Sequence, residues 1–119
     1  MIRPAGVQPS RDDDRALGDL GRFAEPSLYI LVSLAEGPRH GYAIMIDVEA
    51  ISGSPMGPGT LYGALARLER RGLIEALEPD ERRRPYRLTA LGATTLAAQL
   101  AGLRSFTRTG LARLQGRTS

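Results

Sequence analysis

The chain has 119 residues, 42% of them hydrophobic, which suits one domain with a modest core or a core completed by a second subunit. It contains no cysteine and one histidine, so disulfides and thiol chemistry are excluded, and we expect no metal site and no cofactor. There is no uninterrupted apolar stretch of about eighteen residues and no apolar signal-peptide core, so we expect a cytoplasmic protein without a membrane contact.

All sixteen basic residues are arginines, and the net charge is +3. Residues 26–88 carry eight arginines and eight acids, whereas residues 89–119 carry four arginines and no acid. Arginine suits phosphates and base edges, although a codon bias of the whole genome would give the same composition. A nucleic-acid hypothesis therefore depends on where the arginines lie and not on their number.

The first 25 residues predict a flexible arm followed by a helix. Residues 1–11 contain two prolines and no periodicity. Residues 12–24 begin with three aspartates, which favour a helix N-terminus, but two glycines weaken this helix, so it needs a surface to pack on. Its apolar residues recur at helical spacing and are Leu17, Leu20 and Phe23.

Two further helices are predicted next. Pro26 suits a first helical position, and the nearly continuous apolar face that follows indicates a buried helix stopped by the Gly37-Pro38 pair. A second helix of about eleven residues follows His40 and ends near Gly53. The more frequent role for a lone histidine here is to start the helix or to pack.

Residues 58–71, "PGTLYGALARLERR", predict a third helix that ends at Gly72. Its inward stripe consists of Leu61, Leu65 and Leu68. The opposite side is small at its start and cationic at its end, and we place on it Thr60, Gly63, Ala64, Arg67 and Arg71.

A hairpin and a last helix complete the chain. The runs "LIEAL" (73–77) and "PYRLT" (85–89) alternate as strands do, with a long polar tip between them. Thr89 suits the N-cap of a helix of about twenty residues, which two glycines, Gly102 and Gly110, would bend or end. An apolar seam near heptad spacing runs along this helix and includes Leu96, Leu100 and Leu103, with Phe106 beside it.

This order of elements predicts a mainly α fold with a small β-hairpin, a winged helix-turn-helix. We divide the chain into residues 1–25 as arm and N-terminal helix, 26–89 as DNA-binding domain, and 90–119 as C-terminal dimerisation helix. In such a fold the third helix enters the major groove, and the hairpin, or wing, contacts the backbone or minor groove. The predicted DNA contacts are Tyr42, Pro58, Thr60, Tyr62, Gly63, Ala64, Arg67, Arg71, Arg82, Arg83 and Arg84. The predicted dimer contacts are Leu17, Leu20, Phe23, Leu96, Leu100, Leu103 and Phe106.

Other interpretations stay open for these features. A helix with leucines inside and arginines outside is more often a plain solvated surface helix. The wing arginines could pair with Asp80 and Glu81, and the two tyrosines, Tyr42 and Tyr62, could be core residues with their hydroxyls at the edge. No catalytic pattern and no phosphate-binding loop is found, so we expect no enzyme activity.

Three blocks in order, "LYILVSLAEGPRHGYAI", "GPGTLYGALARLERRGLI" and "RRPYRLTALG", resemble the PadR family of bacterial transcriptional regulators. The resemblance spans roughly residues 26–100. It implies a dimeric winged-helix regulator of a roughly palindromic operator, with residues 40–42 starting the second helix, 58–62 starting the recognition helix, 82–84 in the wing and the chain from Thr89 in the dimer interface. The tail is short, and the tryptophan with which some short members bind flat drugs is absent.

We therefore predict a homodimeric repressor that binds double-stranded DNA. The main alternative is a winged-helix module that binds another protein and does not touch DNA. A third hypothesis, compatible with the first, is a sensor with a small apolar effector between its subunits.

Overall fold

The computed structural model describes residues 26–117, so the arm and helix predicted before Pro26 lie outside it. The described residues form a three-stranded antiparallel sheet, in which the third strand along the chain lies between the first two, beside four helices, and this confirms the mainly helical winged fold. None of the described helices is long and apolar enough to span a membrane. The elements are α1 (Pro26–Leu34), β1 (Arg39–His40), α2 (Gly41–Ser52), α3 (Pro58–Arg70), β2 (Ile74–Ala76), β3 (Pro85–Leu88) and α4 (Ala90–Arg117).

The core lies where α1 contacts each of the other three helices. It consists of aliphatic side chains from all four helices and from β2, each of which contributes about 1.5–3 kcal/mol for a large side chain on burial. The core residues are Ile30, Leu31, Leu34, Ile44, Val48, Leu61, Ala64, Leu65, Leu68, Ile74 and Leu96.

The predicted ends of α2 and α3 are confirmed, and glycine explains both. Gly53 closes α2 in the left-handed region, at φ 74°, and donates its N–H to Glu49. After α3, Gly72 has φ 75° and donates to the Glu69 carbonyl, while Leu73 donates to the carbonyl five residues before it, which is a Schellman motif. This turn sends the chain directly into β2.

The sheet contains one strand that the sequence did not reveal. β1 has two residues and pairs with β3, with Arg39 opposite Tyr86 and His40 opposite Pro85. Such a strand is too short to produce a period of two in the sequence. It attaches the start of α2 to the wing.

α4 begins as predicted but is longer than predicted. The Thr89 hydroxyl accepts the Gly92 N–H at 3.0 Å and donates to the Gly72 carbonyl at 2.6 Å, so the predicted N-cap is confirmed. The helix has 28 residues and continues through Gly102 and Gly110, so the prediction that these glycines end it was wrong. A glycine costs a helix about 1 kcal/mol relative to alanine, which lowers its stability without breaking its hydrogen bonds.

The predicted seam on α4 divides at Leu96. This residue is 5% exposed and packs in the core of its own chain, so its assignment to the dimer interface was wrong. Every residue from 97 to 117 is exposed, and these residues extend about 30 Å at 1.5 Å per residue. Leu100, Leu103 and Phe106 lie on this exposed part.

The start of α4 approaches the sheet so closely that it requires glycine. A Cβ atom on Gly92 would lie 1.9 Å from the carbonyl oxygen of Leu73, which is backbone and cannot rotate away. The same carbonyl accepts the Thr89 N–H at 3.1 Å. Gly92 therefore lets α4, β2 and the end of α3 meet at one point.

We expect Gly92→Ala to lower the free energy of unfolding by about 1–3 kcal/mol or more, because the added methyl group would separate α4 from β2. Gly59→Ala is the matched control, since its Cβ would meet no atom within 4 Å, and it should be neutral or stabilising by less than about 1 kcal/mol. Urea unfolding followed by circular dichroism measures both. Equal stability of the two variants would contradict the close approach.

Candidate nucleic-acid interface

The first candidate surface is the exposed side of α3. Leu61, Leu65 and Leu68 are buried as predicted. Ala64 is 0% exposed, so its placement among the DNA contacts was wrong. At about 100° per residue, Ala64 lies beside Leu61 and Leu68 on the wheel, so it belongs to the inward stripe.

Because Ala64 belongs to the inward side, the outward face of α3 is centred on different residues from those predicted. The middle of this outward face consists of Gly59, Gly63, Ala66 and Arg70. The residues at its start are small and allow close approach, and the residue at its end is a cation. Arg70 is exposed, and the sequence interpretation missed it. Counting the small apolar Ala64 with the leucines would have found it.

Thr60 and Arg67 are exposed at the edge of this face. A Cβ atom on Gly63 would lie 3.7 Å from Nη1 of Arg67, so the Arg67 guanidinium lies over the glycine, one helical turn before its own backbone. The arginine therefore presents its donors over Gly63, near the middle of α3.

The N-terminus of α3 offers unpaired amide groups. Gly57 is its N-cap and provides no side-chain cap, and Pro58 follows at the first helical position. The amide N–H groups of Gly59 and Thr60 thus have no capping side chain, and they lie at the positive end of the helix dipole. This arrangement favours an anion such as phosphate.

The second candidate surface is a cleft between the start of α2, α3 and the wing, which we call the arginine cleft. Its volume is about 310 Å³. Of the residues that the structure describes, three arginines line it and no acid does, and the uncapped N-terminus of α2 borders it. The lining residues are His40, Gly41, Tyr42, Tyr62, Arg82, Arg83, Arg84 and Tyr86.

Two contacts hold the arginine cleft together. Arg83 donates from Nη1 to Nε2 of His40 at 3.3 Å, since a guanidinium has no acceptor. A Cβ atom on Gly41 would lie 2.8 Å from the Tyr62 hydroxyl, so the tyrosine ring packs over the glycine at the start of α2. His40 thus positions a wing arginine, a role that the sequence interpretation did not assign to it.

Tyr86 adds a hydroxyl group to the cleft. Burial raises the pKa of its phenol, the Glu69 carboxylate raises it further, and Arg84 partly opposes them. The phenol therefore keeps its proton throughout the neutral range and can donate a hydrogen bond. Tyr42 and Tyr62 are more than half exposed, so neither is a core residue.

The wing arginines are not paired with the acids beside them. Within residues 26–117, no ion pair joins Arg82, Arg83 or Arg84 to Asp80 or Glu81. Ion pairs do form elsewhere, between Arg87 and Glu75 across β2 and β3 and between Arg39 and Glu36 after α1. The alternative in which local acids neutralise the wing is therefore not what the structure shows.

Arg71 lies apart from both surfaces. It is exposed at the end of α3, but it lines a groove between α1 and α4 together with Leu68 and Leu73. The structure therefore does not bring Arg71 together with the arginine cleft.

Among the described residues, no group of three potential metal ligands occurs.

The comparisons with known proteins agree on one family. Residues 30–98 match the Transcriptional regulator PadR-like family. The chain is 27% identical to a PadR family transcription regulator from Clostridium difficile R20291, with a TM-score of 0.68 over 74% of this chain and 96% of that one. It is 30% identical to RosR of H. salinarum, with a TM-score of 0.60 over 72% of this chain and 87% of that one.

One curated relative is longer. The chain is 43% identical over 96 residues to an uncharacterized 37.1 kDa protein in transposon Tn4556 of Streptomyces fradiae. The match covers 81% of this chain and 26% of that protein, so the chain spans about a quarter of this relative's length.

The backbone at the tip of the wing is strained, because two residues there that are not glycine have positive φ. Asp80 and Arg83 exchange two backbone hydrogen bonds, and the two residues between them, Glu81 and Arg82, have φ of 48° and 70°. This is the left-handed geometry of a tight hairpin turn, which favours asparagine and glycine. We expect Arg82→Gly to raise the free energy of unfolding by about 0.5–1 kcal/mol through relief of that strain.

Arg82→Ala is the matched control, because it removes the same guanidinium but keeps a Cβ at positive φ, and its stability should not rise. Thermal and urea unfolding of the two variants decide the matter. A glycine variant no more stable than the alanine variant would refute strain at the tip.

Proposed function

Because this chain belongs to the PadR-like family of transcriptional regulators, we propose that it binds DNA in a sequence-specific manner, as a homodimeric repressor on a palindromic operator. The observation that carries the proposal is the position of two cationic surfaces, the outward face of α3 and the arginine cleft, on either side of Tyr62. No acid of the described part of the chain lines the cleft, and the nearby Glu69 carboxylate, which acts on Tyr86, opposes only part of the charge of its three arginines.

In this proposal α3 enters the major groove. Its outward face is small at Gly59 and Gly63, so the helix backbone can approach the base edges. Arg67 and Arg70 extend from the same region and supply bidentate donors, the chemistry that suits guanine. The amide N–H groups of Gly59 and Thr60, which directly follow Pro58, take a backbone phosphate.

The arginine cleft takes the phosphate backbone, and the wing tip lies along it or in the minor groove. Arg82 and Arg84 supply charge, and Arg83 is held by His40. The hydroxyls of Tyr42 and Tyr62, exposed at the cleft, donate to phosphate oxygens. These contacts fix the orientation of the protein on DNA and carry no sequence information.

A second copy of the chain joins through α4. Leu103, Phe106, Leu111 and Leu114 are each more than two-fifths exposed, and together with Leu100 they form an apolar side on a helix that extends beyond its own domain. Such a side gains from pairing with its copy, and a two-fold axis would set the two α3 helices about 34 Å apart, one turn of DNA. A dimer covering a promoter is sufficient for repression.

We expect Arg67→Ala to weaken binding to promoter DNA from the protein's own locus by about 1–3 kcal/mol and to reduce its preference over a scrambled duplex. Replacing Arg82, Arg83 and Arg84 by alanine should weaken both duplexes alike and lower the slope of log K against log salt by about 0.9 for each phosphate that is no longer neutralised. Gel shift and fluorescence anisotropy at several salt concentrations measure both effects.

Arg113→Ala, on the exposed end of α4, is the control and should bind like the wild type. If neither the Arg67 variant nor the triple variant changes affinity, these surfaces do not contact DNA. Salt-insensitive capture of a protein partner with no DNA complex would instead favour the interaction module.

We expect Phe106→Glu to weaken dimerisation by about 2 kcal/mol or more, since it places a charge on the apolar side of α4, halfway along its exposed part. Ser105→Glu adds the same charge on the other side of the helix and should leave the dimer intact. Sedimentation equilibrium of both variants tests the interface. Unchanged association of the Phe106 variant would exclude this side of α4 as the dimer contact.

A further inference from the structure

His40 is the single histidine of the chain, and it lies in the arginine cleft with one ring nitrogen engaged by the wing. Its Nε2 lies 3.3 Å from Nη1 of Arg83. A guanidinium has only donors, so Nε2 accepts, and the hydrogen bond requires a neutral imidazole with its proton on Nδ1. Histidine is also the side chain that ordinarily gains a charge between about pH 8 and pH 5. The contact with Arg83 therefore exists in one protonation state of the ring and not in the other.

We propose that His40 binds a DNA phosphate in its protonated form and releases Arg83 to the same phosphate. Nε2 takes a proton from water and donates it in a hydrogen bond to a phosphate oxygen, and no covalent bond to phosphorus forms or breaks. This inference rests on the proposed function, since it adds a residue to the phosphate contacts of the arginine cleft. It goes further because it links DNA binding to the uptake of a proton, so that the affinity rises as the pH falls.

The first support is the place of the ring in the fold. His40 is the N-cap residue of α2, and its side chain does not cap the helix, so the amide N–H groups of Tyr42 and Ala43 have no capping side chain. A phosphate that accepts from these amides, at the positive end of the helix, lies next to the N-cap residue. His40 is half-buried, so a ligand in the cleft can reach Nε2 once Arg83 turns away.

The second support is the set of charged and titratable groups around the ring. No acid of the described residues lines the cleft, and the nearest element, β1, places Arg39 beside His40 with its guanidinium already paired to Glu36 and 4.0 Å from Asp47. From α3, the Glu69 carboxylate acts on Tyr86. The other groups are Arg82, Arg83, Arg84 and Tyr86 from the wing, Tyr62 from α3 and Tyr42 from α2.

These surroundings give the proton a reason to arrive together with the phosphate. In the free protein, a protonated ring would add a fourth positive charge beside three guanidinium groups, and it would lose its hydrogen bond with Arg83. A phosphate in the cleft places a negative charge among these groups and accepts from both side chains. Binding of DNA therefore favours the charged ring, and the charged ring favours binding by the same factor.

The test is the affinity for promoter DNA from the protein's own locus, measured by fluorescence anisotropy at constant ionic strength. With one His40 in each subunit, we expect Kd to fall at least about fivefold from about pH 8 to about pH 6, with a ceiling of about tenfold per pH unit for each ring. His40→Gln still accepts from Arg83 but does not titrate, so its Kd should change less than about twofold over this range. Arg113→Ala is the matched control and should keep the wild-type pH profile.

Proton NMR of the wild-type chain gives a second readout that requires no variant to fold, because its one histidine gives one set of ring signals. We expect promoter DNA to move the midpoint of the ring's titration to a higher pH, by about half a pH unit or more.

Two results overturn the inference while DNA binding stands: a midpoint that DNA does not raise, or a His40→Gln variant that keeps the wild-type pH dependence. Absence of a DNA complex at every pH would overturn the proposed function and this inference with it, so the two failures are distinguishable.

Discussion

The close contact between Gly92 and the Leu73 carbonyl is the constraint on which the arrangement of the molecule depends. At this point α3 has just ended, β2 begins, β3 has just ended at Leu88 and α4 starts. The Thr89 side chain connects the two sides, because it caps α4 and also donates to the carbonyl of Gly72. These contacts join the end of α3 to the start of α4.

This junction links the two surfaces that the proposed function requires. The outward face of α3 and the exposed apolar side of α4 belong to two helices that are joined at this junction, so pairing through α4 would set the separation of two α3 helices. The arginine cleft also depends on a glycine and a side-chain hydrogen bond. Gly41 leaves room for the Tyr62 ring, and His40 accepts a hydrogen bond from Arg83. Residues 26–88 have equal numbers of arginines and acids, yet these acids lie outside the cleft lining, so a neutral segment presents a cationic surface.

Local sequence patterns were enough to predict the individual elements and the family. Proline and glycine set where α1, α2 and α3 begin or end, because each acts through its own φ angle or its missing N–H and needs no distant partner. The spacing of the leucines in α3 predicted its inward side. The three sequence blocks that include this helix indicated the family, which the comparisons confirm. Thr89 was recognised as a cap because capping involves atoms only three residues apart.

Which neighbours these elements contact depends on packing between segments that are far apart in the sequence. β1 is too short to show a period and exists because β3 lies beside it. Ala64 and Leu96 are core residues of α3 and α4, the two helices that pack against α1. The spacing of apolar residues within one helix does not show which of them another helix will cover. The arginine cleft joins His40 to Arg83, 43 positions apart, and periodicity within one helix contains no information about a contact of that range.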